Sequence, residues 1–212
     1  MKKLSIPIIT IFILTIIFTS VSNSQIKYTK PEPRNIWGIG FSYSERGFGP
    51  SASFFLPTGK TTDVFINVLF SNVTDSREIE RTDLFGNTYV ANKLNRVFMM
   101  PVSIGLRKEL FKDDIEGEFV PIFNIGISPT LIFLNPYDRD FFSALGYTTT
   151  QFGLGGFTGL GVSFRQSQSM SLNFNLSYYY ISALGDPVQS LEGSNIYNVG
   201  GLQLGFAINF MK

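Results

Sequence analysis

Large apolar residues and small or polar residues alternate along most of the chain with a period of two. In the clearest segment, 202–210, every second residue is Leu, Phe or Ile, and the positions between hold Gln, Gly, Ala and Asn. Because strand side chains point alternately to opposite faces, this pattern predicts a β-strand with one apolar and one small-polar face. The segments with the same alternation are 37–44, 98–107, 152–165 and 170–180.

Three further strands are predicted from less regular segments, at about 51–56, 63–71 and 119–133, which gives an even total of eight. Three prolines lie inside strand-like runs, namely Pro101, Pro121 and Pro129. Proline has no backbone N–H to donate to a strand ladder, so we expect bulges or strand edges at these positions.

The connections between the predicted strands are short on one side and mostly long on the other. The short ones are 57–62, 111–117 and 166–169, and those on the opposite side are 46–50, 72–93, 135–151 and 185–195. Short periplasmic turns and long extracellular loops are typical of outer-membrane barrels. We interpret 72–93 as a hairpin that extends two strands beyond the membrane, with Leu84 and Phe85 at its tip.

The composition of the polar face decides which face points inward. A soluble, lipocalin-like barrel would place its apolar face inside and show Lys, Glu, Arg and Thr to water. Here the polar face is Gly, Ser, Asn and Ala, and Arg165 is the only charged residue in 152–182 and 196–210. We therefore predict an all-β fold, an eight-stranded antiparallel up-and-down transmembrane β-barrel, with its apolar face toward lipid and a lumen filled by side chains. Aromatic residues near the predicted strand ends fit the belts of a membrane interface: Trp37, Tyr43, Phe152, Phe164, Tyr180, Tyr197 and Phe210.

The first residues have the parts of a secretory signal. Two lysines precede an apolar run at 4–18, and a small, polar stretch follows it. A membrane anchor is the alternative, but a spanning helix needs about 20 apolar residues, and Ser5, Pro7 and Thr10 interrupt this run. We predict a signal peptide at 1–24, a periplasmic lead-in at 25–35 and the barrel at 36–212.

Composition excludes several classes of function. The chain has no cysteine, which excludes a lipoprotein anchor and disulfides, and no histidine, which excludes His-dependent acid–base catalysis. Its 17 basic and 16 acidic residues nearly balance, so there is no basic field for nucleic acid. We expect no enzymatic activity, no catalytic residues, no metal and no cofactor.

Several strand segments resemble the outer-membrane β-barrel domain that is widespread in Bacteroidetes-type bacteria. The segments that carry this resemblance are 100–107, 119–126, 152–161, 172–180 and 201–210. The resemblance covers about 36–210 and implies an outer-membrane location and an eight-stranded barrel, without implying an activity. The final strand is similar to the signal read by the barrel-assembly machinery, which prefers a terminal aromatic residue, although here Met211 and Lys212 follow Phe210.

Three groups of residues suggest sites. The glycines of 153–161 lack the G-x-G-x-x-G spacing of nucleotide sites, so we interpret them as lumen glycines that allow close packing. The acidic pairs of 113–114 and 138–140 have oxygen ligands for calcium but no EF-hand pattern, and we interpret them as solvated loop residues. Arg107, Glu109 and Arg165 are predicted to form an ion-pair network in the lumen near the periplasmic end, since a buried charge needs a partner.

These sequence features leave four hypotheses for function. The first is a non-enzymatic outer-membrane barrel that anchors, stabilises or presents loops, with membrane lipid and the barrel-assembly machinery as partners and an unknown partner for its extracellular loops. The second is a narrow conduit or binding barrel for small hydrophobic molecules. The others are a barrel-embedded enzyme that uses carboxylates alone and a soluble periplasmic barrel. A continuous apolar lumen would favour transport, and two converging carboxylates would favour catalysis.

Overall fold

The computed structural model describes residues 35–86, 88–111 and 118–211. The predicted signal peptide and almost all of the predicted lead-in lie outside these residues, as does most of the turn 111–117. The described strands are β1 (Ile36–Ser44), β2 (Gly47–Pro57), β3 (Thr62–Leu69), β4 (Ser71–Val73), β5 (Glu80–Thr82), β6 (Thr88–Val90), β7 (Asn95–Glu109), β8 (Phe119–Ile127), β9 (Thr130–Pro136), β10 (Thr149–Arg165), β11 (Met170–Leu184) and β12 (Gly201–Met211).

The helical content of this part of the chain is small. One turn of α-helix, α1 (Phe141–Ala144), continues into a 3-10 turn at Leu145–Tyr147. Within the described residues, no helix is long and apolar enough to cross a membrane.

Ten of the twelve strands form one closed antiparallel sheet. Neighbours pair in the order β1, β2, β3, β7, β8, β10, β11 and β12, and β12 pairs back with β1 over nine residue pairs. β4 continues β3 alongside β7, and β9 continues β8 between β7 and β10. The barrel therefore has eight strands that run alternately up and down, which confirms the predicted fold. Its N-terminal end, with the short turns, is called the turn end, and the opposite end is called the loop end.

Two of the three prolines interrupt the hydrogen-bond ladder without changing its register. Pro101 lies between Val102, which pairs with the end of β3, and Met99, which pairs with the start of β4, and Pro129 lies in the gap between β8 and β9. Thr62 pairs with Lys108 below the first gap and Ser71 pairs with Met99 above it, so the register is the same on both sides. Pro101 and Pro129 thus coincide with breaks in the strand pairing and not with bulges, whereas Pro121 lies inside β8 opposite Val162.

Large apolar side chains cover the outside of the barrel, and in its turn half the small polar side chains point in. On β1, Trp37, Ile39, Phe41 and Tyr43 are 47%, 54%, 47% and 63% exposed, while Ser42 between them is 6% exposed. The same alternation holds on β7, β10, β11 and β12. This is the reverse of a water-soluble barrel, in which the apolar face is buried.

Four aromatic side chains cross the middle of the lumen. Phe55 contacts Phe65 with ring centroids 5.5 Å apart, Phe65 contacts Phe157 at 5.9 Å, and Phe157 stacks on Tyr179 at 4.9 Å. Toward the loop end, an apolar cluster fills the barrel, formed by Val73, Val97, Met99, Ile132, Leu134, Ile181, Val188, Ile196 and Val199. These side chains block the lumen, as expected for a narrow eight-stranded barrel.

Glycines on two neighbouring strands make room for Phe157. A Cβ atom on Gly126 would lie 2.8 Å from Cζ of Phe157 and 2.2 Å from the carbonyl oxygen of Ile104. We expect Gly126→Ala to destabilise the barrel by about 1–3 kcal/mol, because side chain and backbone would both have to shift. Gly156 is the matched control, since its Cβ would approach nothing closer than 3.4 Å. Urea unfolding of the barrel in lipid vesicles measures both variants, and equal stabilities would contradict this account of the packing.

Candidate functional site

A buried ion pair lies inside the barrel near the turn end. Arg107 on β7 donates from Nε to Oδ2 of Asp63 on β3 at 2.8 Å and from Nη2 to the same oxygen at 2.5 Å. Asp63 and Arg107 are 8% and 5% exposed. The guanidinium also lies 4.0 Å from the ring centroid of Phe55, so it joins the ion pair to the aromatic side chains above it.

The predicted network of Arg107, Glu109 and Arg165 stays a prediction. All three belong to inward-facing rows near the turn end, as expected. The contact that the structure defines is the one between Arg107 and Asp63, which the sequence pattern does not reveal. Asp63 stands in an irregular strand next to a turn, where an acidic residue is usually solvated. The pairing of Thr62 with Lys108, one position along, brings Asp63 level with Arg107, and this register is not encoded in the local pattern.

A small polar chamber lies beside the aromatic side chains, mainly against β11, β12, β1 and β2. Its volume is about 70 Å³, and hydroxyl and amide groups line most of it. The amide oxygen of Asn173 and both amide atoms of Asn209 are buried there without a hydrogen-bond partner in the protein. Buried polar groups are normally satisfied by protein or ordered water, and the chamber has room for a few water molecules. The chamber is therefore suited to hold water rather than an apolar ligand.

The segment 185–200, called the cap loop, closes the loop end of the barrel. Val188 and Ile196 form an antiparallel bridge with N–O distances of 3.0 and 2.8 Å. Both side chains are buried and join the apolar cluster inside the barrel. Val199 is also buried, and its N–H donates to the carbonyl of Ile181 at 2.9 Å.

Two sets of polar contacts hold the cap loop to segment 74–94, called the hairpin loop, which contains β5 and β6. In the first, Ser194 donates to Asp75 and Arg77 donates to Ser194. In the second, Ser190 donates to Glu78, whose other oxygen accepts from Nζ of Lys93 at 2.6 Å. All four carboxylate oxygens of Asp75 and Glu78 accept hydrogen bonds from protein donors.

The contacts of Asp75 set the acid sensitivity of the cap loop. Burial raises the pKa of this carboxyl, but the hydrogen bonds from Ser194 and Arg77 and the charge of Arg77 outweigh it, so the pKa lies below its ordinary value of 3.8. A lowered folded-state pKa stabilises the fold above the ordinary value, and this stability is lost as the pH falls through the folded-state value. The cap loop is therefore held in place at neutral pH.

We expect Asp75→Asn to lower the free energy of opening of the cap loop by about 1.5–3 kcal/mol at pH 7, the usual contribution of a hydrogen bond to a charged group. Hydrogen exchange at the amides of Val188 and Ile196 measures it. The difference from the wild type should shrink as the pH falls below 3.8 and through the lower folded-state pKa of Asp75, because the wild-type carboxyl is then also protonated. Asp186→Asn, an exposed change in the same loop, is the control. A difference independent of pH would contradict a role for the charge.

The remaining groups proposed from the sequence lie apart from these contacts. The glycines at 153, 155, 159 and 161 point inward on β10 next to backbone or side-chain atoms of β11, so they allow close strand packing. Asp138 and Asp140 are exposed, and the pair at 113–114 lies outside the described residues. In the described part of the chain, no group of three or more acidic residues is placed to hold a metal ion.

Comparison with solved structures supports the fold alone. The chain is similar to the outer membrane protein OprG from Pseudomonas aeruginosa, with a TM-score of 0.52 and 14% identity over 85% of this chain and 96% of that one. It is also similar to Neisserial surface protein A, with a TM-score of 0.51, 13% identity, and 84% and 95% coverage. The N-terminal barrel domain of Pseudomonas aeruginosa OprF gives a TM-score of 0.50, 10% identity, and 85% and 98% coverage.

These three structures define the class of fold to which the chain is similar, the small eight-stranded outer-membrane barrel. No protein-family model and no curated protein matches the sequence. The solved structures come from Neisseria and Pseudomonas, so they support the barrel part of the resemblance noted above and not its Bacteroidetes-type part.

Proposed function

We propose that the protein is an integral outer-membrane barrel without enzymatic activity, which presents its extracellular loops to partners. The observation that carries this proposal is the exposure of large apolar side chains along the outer wall, with hydroxyl and amide side chains inside the turn half of the barrel. In water such a surface would be strongly unfavourable, whereas in lipid it is the stable arrangement. The turn end then faces the periplasm and the loop end faces the outside of the cell.

The loops supply the surface for interaction. The hairpin loop carries Leu84 and Phe85 at its tip, which are 101% and 90% exposed. Large apolar side chains that are fully exposed on a protruding hairpin favour contact with another molecule. We therefore expect a partner to contact Leu84 and Phe85. Hydrogen bonds to the cap loop hold the hairpin loop in position.

The alternative role, a conduit for small hydrophobic molecules, is opposed by the interior. The aromatic side chains, the ion pair of Asp63 and Arg107, and the cap loop each close the lumen. The free space that remains is lined mainly by polar groups. Conduction would require these contacts to open, so we place this role second.

The first experiment is to extract the protein from outer-membrane fractions and to run it unboiled and boiled on a denaturing gel. A faster-migrating unboiled band, present only in detergent extracts, is the expected result for a closed membrane barrel. A water-soluble protein without this shift would overturn the proposal.

The single tryptophan gives a second, independent prediction. Trp37 is 47% exposed at the turn end of β1, and its ring stacks on Phe210 at 4.6 Å. Because aromatic side chains lie at membrane interfaces, its fluorescence should be quenched by lipids brominated near the headgroup more than by lipids brominated at the chain end. Quenching by iodide in water with no quenching by lipid would contradict it.

Three expectations from the sequence belong to the proposal as well. Cleavage before Gln25 would be shown by the N-terminal sequence of the protein from membranes.

Recognition by the barrel-assembly machinery through β12 would be shown by loss of assembly in a Phe210→Ser variant. Membership of the Bacteroidetes-type family would be supported by relatives from such bacteria that share segments 100–107 and 152–161.

A further inference from the structure

Segment 137–148, called the rim loop, folds over the outside of the barrel wall. Asn135 points outward by its strand parity yet is 1% exposed, and its Nδ2 donates to Oγ1 of Thr148 at 3.1 Å. Phe141 packs edge-on against Phe98, an outward-facing residue of β7, with ring centroids 6.0 Å apart. The rim loop therefore lies directly on the loop-end border of the outward apolar surface.

The rim loop extends that apolar surface. Phe98 stacks on Phe70, with centroids 5.9 Å apart and an interplanar angle of 9°, and Phe141 contacts Phe142 at 5.4 Å. Phe142 and Leu145 are 81% and 53% exposed. Their exposed faces continue the band that the barrel presents to lipid.

Two guanidinium groups lie over aromatic rings in this part of the structure. Arg96 faces outward on β7 and lies 4.5 Å from the ring centroid of Tyr137, and its Nη1 donates to the carbonyls of Pro136 and Arg139 at 3.0 and 3.1 Å. Arg139 lies 3.8 Å from the ring centroid of Tyr147. In the described residues, the hydrogen bonds of Arg96 use Nη1 alone, so its Nε and Nη2 remain as donors for a ligand.

We propose that the rim loop and the facing end of β7 bind a phosphate-bearing lipid of the outer leaflet. The planar donors of Arg96 and Arg139 match the oxygens of a phosphate. The exposed rings of Phe141 and Phe142 match the first carbons of an acyl chain. This inference rests on the proposed membrane location, because only there does the lipid lie against the wall below the two arginines.

Among the charged side chains near the rim loop, Arg96 and Arg139 are the cations that we expect to contact the phosphate. Lys93 is neutralised by Glu78 at 2.6 Å. Asp138 lies 4.0 Å from Nε of Arg139, at the limit of an ion pair, and its side chain is 74% exposed. Asp138 competes with a phosphate for Arg139, and Asp140 adds a negative charge on the same loop. Removal of Asp138 is therefore expected to strengthen binding of the lipid.

Native mass spectrometry of the full-length barrel in detergent, titrated with diphosphoryl lipid A, tests the site. Arg96→Gln and Arg139→Gln should each weaken binding about fivefold, the usual effect of one basic residue near an anionic lipid surface. Asp138→Asn should tighten it. Arg81→Gln removes an exposed arginine from the hairpin loop and should change nothing. Equal binding by all four variants would overturn the proposal.

Further comparisons identify the ligand. Lipid A without phosphate should bind less tightly than the diphosphoryl form, and Phe142→Ser should weaken both. Displacement of lipid A by millimolar inorganic phosphate would show a site for free phosphate and would overturn the lipid assignment. The heat-modifiable band is checked in each preparation. A protein that shows this band but does not bind lipid contradicts only this inference, whereas a protein without the band contradicts the proposed function itself.

Discussion

Asp63→Asn is expected to destabilise the barrel by about 3–5 kcal/mol, the usual cost of leaving one partner of a buried ion pair without the other. The guanidinium of Arg107 would keep its charge inside the lumen, where Asp63 supplies both of its described ion-pair contacts. The ring of Phe55 contacts the same group and offers much weaker compensation. Urea unfolding in lipid vesicles, followed by the fraction of heat-modifiable barrel, measures the effect.

Two control variants separate the effect of breaking the ion pair from the effect of removing any aspartate. Asp140→Asn removes an exposed carboxylate that makes no capping hydrogen bond at α1 and should leave stability within about 0.5 kcal/mol of wild type. The double variant Asp63→Asn with Arg107→Gln should recover part of the loss, because no charge is then left buried. If the double variant is as unstable as the sum of the two single variants, the residues are not coupled.

The second large effect is expected from a charge on the outward face. Leu160 is an outward residue near the middle of β10 and is 60% exposed. It lies opposite Leu176 on β11 and Phe123 on β8, which are both apolar. Leu160→Arg should cost about 2–4 kcal/mol in a bilayer, because an arginine near the midplane must be solvated there. In a protein surrounded by water the same change would be almost neutral.

The matched control uses another outward position on the same strand. Phe152 is 64% exposed and lies near the loop-end border of the wall. Because the cost of a charge falls to about 0–1 kcal/mol near the interface, Phe152→Arg should be well tolerated. Similar stabilities of the two variants in vesicles would contradict a membrane-spanning wall, even if the barrel itself is intact.

The strands and their facing can be predicted from the sequence because both depend on local alternation. The outward positions of β12 hold Leu and Phe and the inward ones hold Gln, Gly and Asn, so parity and composition together indicate which face meets lipid. Even the irregular strands are predicted to within a few residues. Pro129 breaks the regular pattern near the end of the third irregular strand, and the same barrel strand continues beyond it as β9.

The functional details are harder to predict because they depend on contacts between distant segments. Asp75 and Ser194 are 119 positions apart, and each stands in a polar stretch that resembles an ordinary solvated loop. Residues 138–140 have the composition of a solvated loop, and the contact of Arg139 with the Tyr147 ring becomes visible only once the rim loop is placed. The alternation along β7 identifies Arg107 as a lumen residue. Its partner Asp63 can be identified only when the register of β3 against β7 is known.

Closure by pairing β1 with β12 has a consequence for the time course of assembly. Ile36 pairs with Met211, and Ser44 with Gln203, so the last seam joins the residues farthest apart in the described chain. Such contacts carry the largest loop-closure entropy and are the slowest to form. Until that seam forms, both terminal strands have unpaired edges that can pair with other chains. The rate of folding into vesicles should therefore depend on seam residues such as Phe41 and Phe206 more than on the tight turn at Glu45.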